Sequence, residues 1–539
     1  VIFVWHERGE GIGMAARHPG GKQKGRRQPE GAAGRRRETT ETDVLIVGGG
    51  LAGVTTAIGL KDAGLRVTLL EKTDVLGGRA RSWTDPVTGD PVHIGPHIFM
   101  TRYPNMFKLM EILGTRDHVV WQDPGHFITQ VDGQKEIEII SNMKLPAPLH
   151  FAPSLFADKR ISIQDIVSAM PLTLYALRTT EEEILRLDNV NASAFLRSMG
   201  VSEQMIHRFW SFVCMAILNV PIELCSAGAL LRFFCGLLGV AELSIGFPDV
   251  GLSDLYVPQS EKMLGKAGVE IRKNAGVKRF IGDARRVTGV ELDDGTVIHA
   301  KTVVAALTPM ALRQAVPREW IRSHKVFHEL VYFNASEYIA TYLWFDRKLT
   351  EKKFWARVYD PNDLNCDFYD MSNINRGWEG RNSVIMSNCI WCERARHMSD
   401  EEIALETRRE LAEYLPEAAR AKLEHYVVNR IPMAIHCPYP GMEQRRPPTR
   451  SPVEGFVLAG DWIGTGIPSC MENACMSGWL AAEQVLSDLG QPKSLHVPHG
   501  RDDLQGLVKV LHHAGRVVPI DPISRIVRSK PFFAHRNSA

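Results

Sequence analysis

One stretch constrains this chain more than any other: a short, wholly apolar run, Val44-Leu45-Ile46-Val47, passing directly into Gly48-Gly49-Gly50-Leu51-Ala52-Gly53. An apolar, β-branched run without alternation is the pattern of a strand buried on both faces. The small residues Ala52, Gly53, Ala57 and Gly59 then fall in a helix-like segment reaching Ala63-Gly64, and a second strand, Arg66 to Leu70, ends at Glu71. Strand, GxGxxG, helix, strand and acid thus fill one unit of about 30 residues, each part with a physical task. Gly48 allows the tight turn, Gly50 lets the backbone approach a pyrophosphate, and Gly53 permits close packing of helix on strand. The helix start at Leu51 and Ala52 offers free N–H groups and a positive dipole end to the phosphates. Glu71 follows Gly53 by 18 residues. A carboxylate there can accept hydrogen bonds from both ribose hydroxyls and would repel a 2′-phosphate.

The pattern predicts an α/β protein with a Rossmann-type dinucleotide-binding domain. At 539 residues the chain is too long for one hydrophobic core, so further lobes are expected. Apolar residues make up 44% and charged residues 23%, as in ordinary globular proteins. The net charge of +2 conceals basic ends: residues 1–41 carry +4 and residues 491–539 carry +5, leaving −7 between them. No basic stripe is interleaved with aromatics, which argues against nucleic acid as a partner. The ends suit solvated tails or a loose contact with anionic lipid. Gly, Gln, Arg and Glu dominate from Gly20 to Arg37, and Met14 reads as an alternative start.

Nine cysteines are scattered without metal-ligand spacing. Cys389 and Cys392 flank the apolar Ile390-Trp391 and no second pair follows, so no metal is expected. An odd count without a signal peptide points to a reducing, cytoplasmic compartment. The most apolar region, Phe209 to Phe247, is interrupted by Glu223, Arg232 and Glu242, so no run of about 20 residues suits a membrane span.

Six positions after Glu71 comes Gly77-Gly78-Arg79-Ala80-Arg81-Ser82. Far along the chain, Gly455-Phe456-Val457-Leu458-Ala459-Gly460-Asp461 reads as a strand, and Ile467-Pro468-Ser469-Cys470-Met471-Glu472-Asn473-Ala474 opens a small-residue helix through Gly478 and Ala482. In these segments the chain resembles the flavin amine oxidase and carotenoid desaturase superfamily. The resemblance implies FAD rather than NAD, held by a glutathione-reductase-like, Rossmann-type domain with an interleaved α+β substrate domain. It brings Arg79 to the pyrophosphate and lets the loop at Gly77 and Gly78 pass close to the cofactor, with Lys72 beside Glu71 in the same set. It assigns Asp461, after Gly460, to the ribityl or pyrophosphate region. The backbone around Met471 would point N–H groups at the flavin N1–C2=O edge, stabilising the reduced anionic form. Glu270 to Val277 reads as a strand, followed by a hairpin turning at Asp294-Gly295 and a returning strand, Thr302 to Ala306. By resemblance, Val277 lies against the adenine.

The implied organisation has a basic tail (1–41), three FAD-binding segments (42–105, 260–310, 450–490), two substrate segments (106–259, 311–449) and a basic C-terminal tail (491–539). Within the superfamily, Gly95-Pro96-His97-Ile98-Phe99, with Tyr103-Pro104-Asn105 and Leu109 to Gly114, resembles plant and cyanobacterial phytoene and zeta-carotene desaturases. So does Pro440-Gly441-Met442-Glu443 with Arg446-Pro447 and Arg450 to Gly455. Asp461-Trp462 and Thr465 to Pro468 look more like the bacterial hydroxysqualene dehydroxylases. Both imply an isoprenoid substrate, hydride removal from an allylic carbon, and flavin contacts at Gly95, Pro96 and His97.

Phe209, Trp210, Phe212, Phe233 and Phe234 can line a tunnel for such a chain, although core packing explains most of them. His97 is the leading candidate for an acid/base or orienting role, against a purely structural histidine, and Tyr439 is the weaker one. Only one complete dinucleotide fingerprint is present, so quinone or oxygen is the expected electron acceptor. The face formed by Leu504, Leu507, Val508 and Leu511 would suit a peripheral membrane contact or a docked helix equally. Two alternatives stay open. One is an amine oxidase, for which no aromatic cage or acidic cluster to recognise an amine can be identified. The other is a non-catalytic lipid binder of the GDP-dissociation-inhibitor type, which would have no need of the intact flavin-binding set.

Overall fold

The computed structural model describes residues 39–499, apart from 124–125, 141–151, 158, 238–242 and 392. Cys392, most of the first basic segment and the 504–516 stretch lie outside the described residues.

The opening strand, Thr39–Val47, pairs in parallel with Val67–Leu70 on one side and Val297–Ala305 on the other. Val67–Leu70 takes Glu270–Arg272 as its outer parallel neighbour. The strand Val297–Ala305 serves two partners along its other edge. Its first part pairs antiparallel with Val287–Leu292, which continues to Val277–Gly282, and its last three residues pair in parallel with Phe456–Leu458. A segment from far along the chain thereby enters the same sheet, one strand removed from the opening strand. Val44 to Val47 are buried, as a strand covered on both faces requires.

The stretch read as one strand from Glu270 to Val277 is two. Strand Glu270–Arg272 ends, Asn274 takes a left-handed conformation (φ 55°), and Val277 opens the next strand. The break lets Ala275 N donate to Glu71 O at 2.9 Å, closing the chain over the end of the strand that carries Glu71.

Helix Leu51–Leu60 packs on helix Met471–Asp488 through small residues. A Cβ on Gly478 would lie 2.5 Å from Ala52 O, and one on Gly59 would lie 2.6 Å from the Ala482 Cβ. Thr56 Oγ1 donates to Gly478 O at 3.1 Å. Side chains of any size at these glycines would drive the two helices apart.

A second seven-stranded sheet runs in the order Leu423–Ile431, Tyr338–Phe345, Val384–Ile390, Asn365–Asp370, Phe354–Arg357, His126–Asp132, Lys135–Ile140. One face packs Leu343, Phe345, Trp355, Phe368 and Ile385 against Ala404 and Leu411 of helix Asp400–Tyr414. The other face turns Tyr342, Met386 and Tyr369 toward Ile98 and Phe212. Around residues 203–218 the helical segment contains two π-turns, Ile206–Trp210 and Cys214–Leu218, a geometry rare in helices and frequent near functional sites. The spacing of Phe209, Trp210 and Phe212 does not announce these turns.

The described part of the C-terminal segment lies on the body. Val497 N donates to Asn105 Oδ1 at 2.8 Å, and His499 Nε2 pairs with Glu472 Oε1 at 2.6 Å. Among the described residues no helix is long and apolar enough to cross a membrane.

Candidate active site

Four loops meet at the ends of the parallel strands. The glycine turn after Val47 is held by Glu71, whose Oε2 accepts from Gly49 N at 2.9 Å while its Oε1 accepts from Thr73 N and Oγ1. The Gly77–Arg79 loop crosses this turn: Gly77 N donates to Gly49 O at 2.9 Å, and Tyr256 pins the loop by donating to Gly77 O and Ala80 O. Gly53 sits so tightly that a Cβ would approach Gly48 O to 1.9 Å. In front of Gly50 the nearest atom to such a Cβ is Gly78 Cα at 3.9 Å, so that face is open.

Arg79 then meets Asp461 from the far end of the chain. Its Nη2 and Nη1 lie 2.5 and 3.1 Å from the two carboxylate oxygens, and Nη1 also donates to Ala434 O. Ser469 Oγ donates to the same carboxylate at 2.6 Å. Burial raises the Asp461 pKa, but the Arg79 charge and the Ser469 hydroxyl outweigh it and hold the carboxyl below its usual range. Gly460 N, one residue earlier, donates to Ser477 Oγ inside helix Met471–Asp488.

Two helix starts open onto this region. Neither Leu51–Leu60 nor Met471–Asp488 has a side-chain hydrogen bond at its cap. Their first N–H groups and positive dipole ends are therefore available to an anionic ligand. The open face at Gly50, the Glu71 carboxylate beside the glycine turn, the Arg79 cation and the two uncapped helix starts fit a dinucleotide cofactor with a second, flavin-bearing half. Val277 lies half-buried two residues after Ala275, which bonds the Glu71 backbone, and Lys72 projects at the surface beside them.

Gly95, Pro96 and His97 lie under the second sheet. A Cβ on Gly95 would meet Ile431 and Tyr338 at 3.3 Å. The His97 ring donates from Nδ1 to Gly95 O at 2.9 Å. Burial lowers its pKa and the Arg79 charge adds to that, with the Gly95 bond opposing, so the ring stays neutral. Tyr439 is not part of the Arg79–Asp461 network among the described residues: it packs edge-on against Trp391 at 6.1 Å, and burial raises its pKa.

The sequence did not single out His436 or Arg232. His436 is 2% exposed, and its Nδ1 has no hydrogen-bond partner. Burial, then the Arg446 charge, lowers its pKa to about 4. It lines a small cavity with Ile217, Leu218, Arg232, Glu443 and Ser469. Arg232 Nε donates to Glu443 at 2.5 Å, and Glu443 in turn accepts from Arg446. Arg446 donates to the carbonyls of Ile463 and Ile467, fixing the loop that follows Asp461. Only the Glu443–Arg446 spacing was visible beforehand, because Arg232 reaches the pair from another helix. Among the described residues no group of His, Cys, Asp and Glu side chains is placed to hold a metal ion.

Comparison with known proteins adds a family. Residues 51–486 match the family described as flavin containing amine oxidoreductase. The chain is 28% identical over 474 residues to 15-cis-phytoene desaturase of Solanum lycopersicum, covering 84% of this chain and 79% of that protein. It is 25% identical over 479 residues to zeta-carotene desaturase of Synechocystis, covering 83% and 97%. Among solved structures, cyclohexylamine oxidase from Brevibacterium oxydans superposes with a TM-score of 0.65 at 16% identity over 83% of this chain and 99% of that one. Putrescine oxidase bound to putrescine gives 0.64 at 18%, over 84% and 100%. At these identities the two structures establish the fold alone.

Proposed function

The chain belongs to the flavin containing amine oxidoreductase family and is an FAD-dependent oxidoreductase, and from that premise we propose that it oxidises a long apolar isoprenoid in the manner of a carotene desaturase. The single observation carrying this reading is the near end-to-end similarity to carotene desaturases, at identities that the amine oxidase structures do not reach. The apolar face formed by Tyr342, Met386 and Tyr369 opposite Ile98 and Phe212 supports it, since a hydrocarbon is recognised by shape and burial.

When bound, FAD supplies two-electron oxidation of an allylic C–H bond. In this reading Glu71 takes the ribose hydroxyls, Arg79 and the Leu51 helix start neutralise the pyrophosphate, and Asp461, next to Gly460, orients the ribityl side. The backbone around Met471 places positive dipole density where negative charge develops. Gly48, Gly50, Ala52, Gly53, Lys72, Gly78 and Val277 complete the cofactor contacts. Gly95 and Pro96 bring the chain close beneath the second sheet, and neutral His97 orients the reacting groups. An apolar isoprenoid as substrate, quinone or oxygen as acceptor, and a peripheral membrane contact belong to the same proposal.

The test is product analysis. FAD-loaded enzyme incubated with a carotene-type substrate and a quinone in detergent yields a product with a longer conjugated chain, absorbing at longer wavelength. Unchanged isoprenoid, with an amine oxidised in its place, overturns the reading.

A further inference from the structure

Resting on this reading of an apolar substrate, we propose that Asp367, with Tyr369, Asn388 and Tyr338, is a polar subsite that takes an alcohol oxygen carried by an otherwise apolar molecule. The four residues share one face of the second sheet. Asn388 stands opposite Ala340 in one neighbouring strand and opposite Asp367 in the other, and Met386 likewise links Tyr342 to Tyr369. This face closes over the Gly95–His97 loop. Tyr342 accepts from His93 N at 2.9 Å, and a Cβ on Gly95 would lie 3.3 Å from Tyr338 and 3.7 Å from the Ala340 Cβ. At the ordinary strand spacing Asp367 is about 10 Å across the sheet from Ala340. Its surroundings are otherwise apolar: Met215 and Ile390 pack with Tyr338 and Ala340, and Phe212 and Ile98 with Tyr369.

In that setting the polar atoms are left incomplete. Asp367 is 3% exposed, and its Oδ2 accepts from Tyr369 Oη at 3.1 Å. Its Oδ1 and the Asn388 Oδ1 each lack a partner in good geometry, while the Asn388 side chain is close enough to favour the carboxylate. Other buried carboxylates of the same lobe show what structural acids look like here. Asp370 accepts from Ser372 N, Ser372 Oγ and Ser383 Oγ, and Glu410 from Leu364 N, Asn365 N and Asn365 Nδ2. A buried acceptor without a donor is costly, so such a group calls for a ligand or an ordered water. Burial pushes the Asp367 carboxyl up to about 7, against the opposing bonds from Tyr369 and Asn388. Near neutral pH a large share of it is the acid, able to donate and accept at once, as an alcohol does. A pure hydrocarbon would leave these atoms unpaired, so the subsite discriminates in favour of an oxygenated isoprenoid.

The experiment measures equilibrium binding to the FAD-loaded enzyme of a long-chain isoprenoid alcohol and of the hydrocarbon with the same skeleton, by perturbation of the flavin spectrum. The wild type binds the alcohol about tenfold more tightly, the worth of one buried hydrogen bond. Asp367→Val brings the two to parity, and Asp367→Asn, which keeps a donor and an acceptor, retains the preference. Equal wild-type affinities, or a preference that survives Asp367→Val, would leave the site to a buried water and overturn the inference while the apolar-substrate reading stands. Failure of both probes to bind overturns both. The wild-type comparison alone decides the matter if a variant loses FAD.

Discussion

Arg79 and Asp461, 382 residues apart in sequence, form a two-bond ion pair between the loop after Gly78 and the segment following strand Phe456–Leu458. The carboxylate is nearly buried while the guanidinium keeps 31% of its side-chain surface. Removing the acid therefore costs the interaction and leaves Arg79 with only the Ala434 carbonyl and Ser469 with only the carbonyl of residue 461. Asp461→Ala is expected to weaken FAD retention at least tenfold, about 1.4 kcal/mol, as read from flavin fluorescence released on dilution. Retention equal to the wild type would show that the pair does not support the cofactor.

Gly50, at the cap of the first helix, and Gly53, inside it, separate binding from folding. A Cβ at Gly53 collides with backbone at 1.9 Å, whereas one at Gly50 meets nothing closer than 3.9 Å. Gly53→Ala is expected to destabilise the protein by about 1–3 kcal/mol or more in urea unfolding. Gly50→Ala is expected to keep a native circular dichroism spectrum and lose FAD. Loss of fold in both variants would contradict the open face at Gly50.

Glu472 ties the second helix start to helix Pro104–Leu113. Its carboxylate accepts from Asn105 N at 3.0 Å, Asn105 Nδ2 at 2.7 Å and Met106 N at 2.8 Å, capping helix Pro104–Leu113. Tyr103, at the cap position itself, provides no such bond. Glu472→Ala orphans these donors and is expected to cost about 2 kcal/mol in urea unfolding. A change below about 0.5 kcal/mol would show that water replaces the carboxylate without penalty.

The raised Asp367 pKa has a sign that unfolding can read. The folded state holds the proton up to about 7, above the ordinary carboxyl value of 3.8. The group's contribution is therefore complete below about pH 4 and is lost as pH rises toward 7. Relative to Asp367→Asn, the wild type is expected to lose stability across that window. A difference independent of pH between 4 and 7 would contradict the assignment.

Much of the cofactor half was legible because its chemistry is local. Gly48, Gly50, Gly53 and Glu71 are spaced by a single strand–helix–strand unit, and the Asp461 segment repeats strand and helix start within about 20 residues. What joins these pieces was not legible as contact: the Arg79–Asp461 pair and the Gly478–Ala52 approach depend on how distant segments pack. The break at Asn274 carries its own turn signal, Asn274 with Gly276, which is masked by the strand-like Ile271 and Val277 on either side. The rest was harder still. His436, Arg232 and Asp367 sit in no spaced motif, and their character comes from burial and missing partners, which only the assembled sheet and helices create. Tyr439, the weaker candidate, packs against Trp391 and Cys437.

The most direct measurement is anaerobic titration of the FAD-loaded protein, followed at the flavin absorption band. Bleaching by an isoprenoid, with no response to primary or secondary amines, is the result expected of an oxidoreductase acting on an apolar chain. Bleaching by amines, with no response to any isoprenoid, would contradict that account.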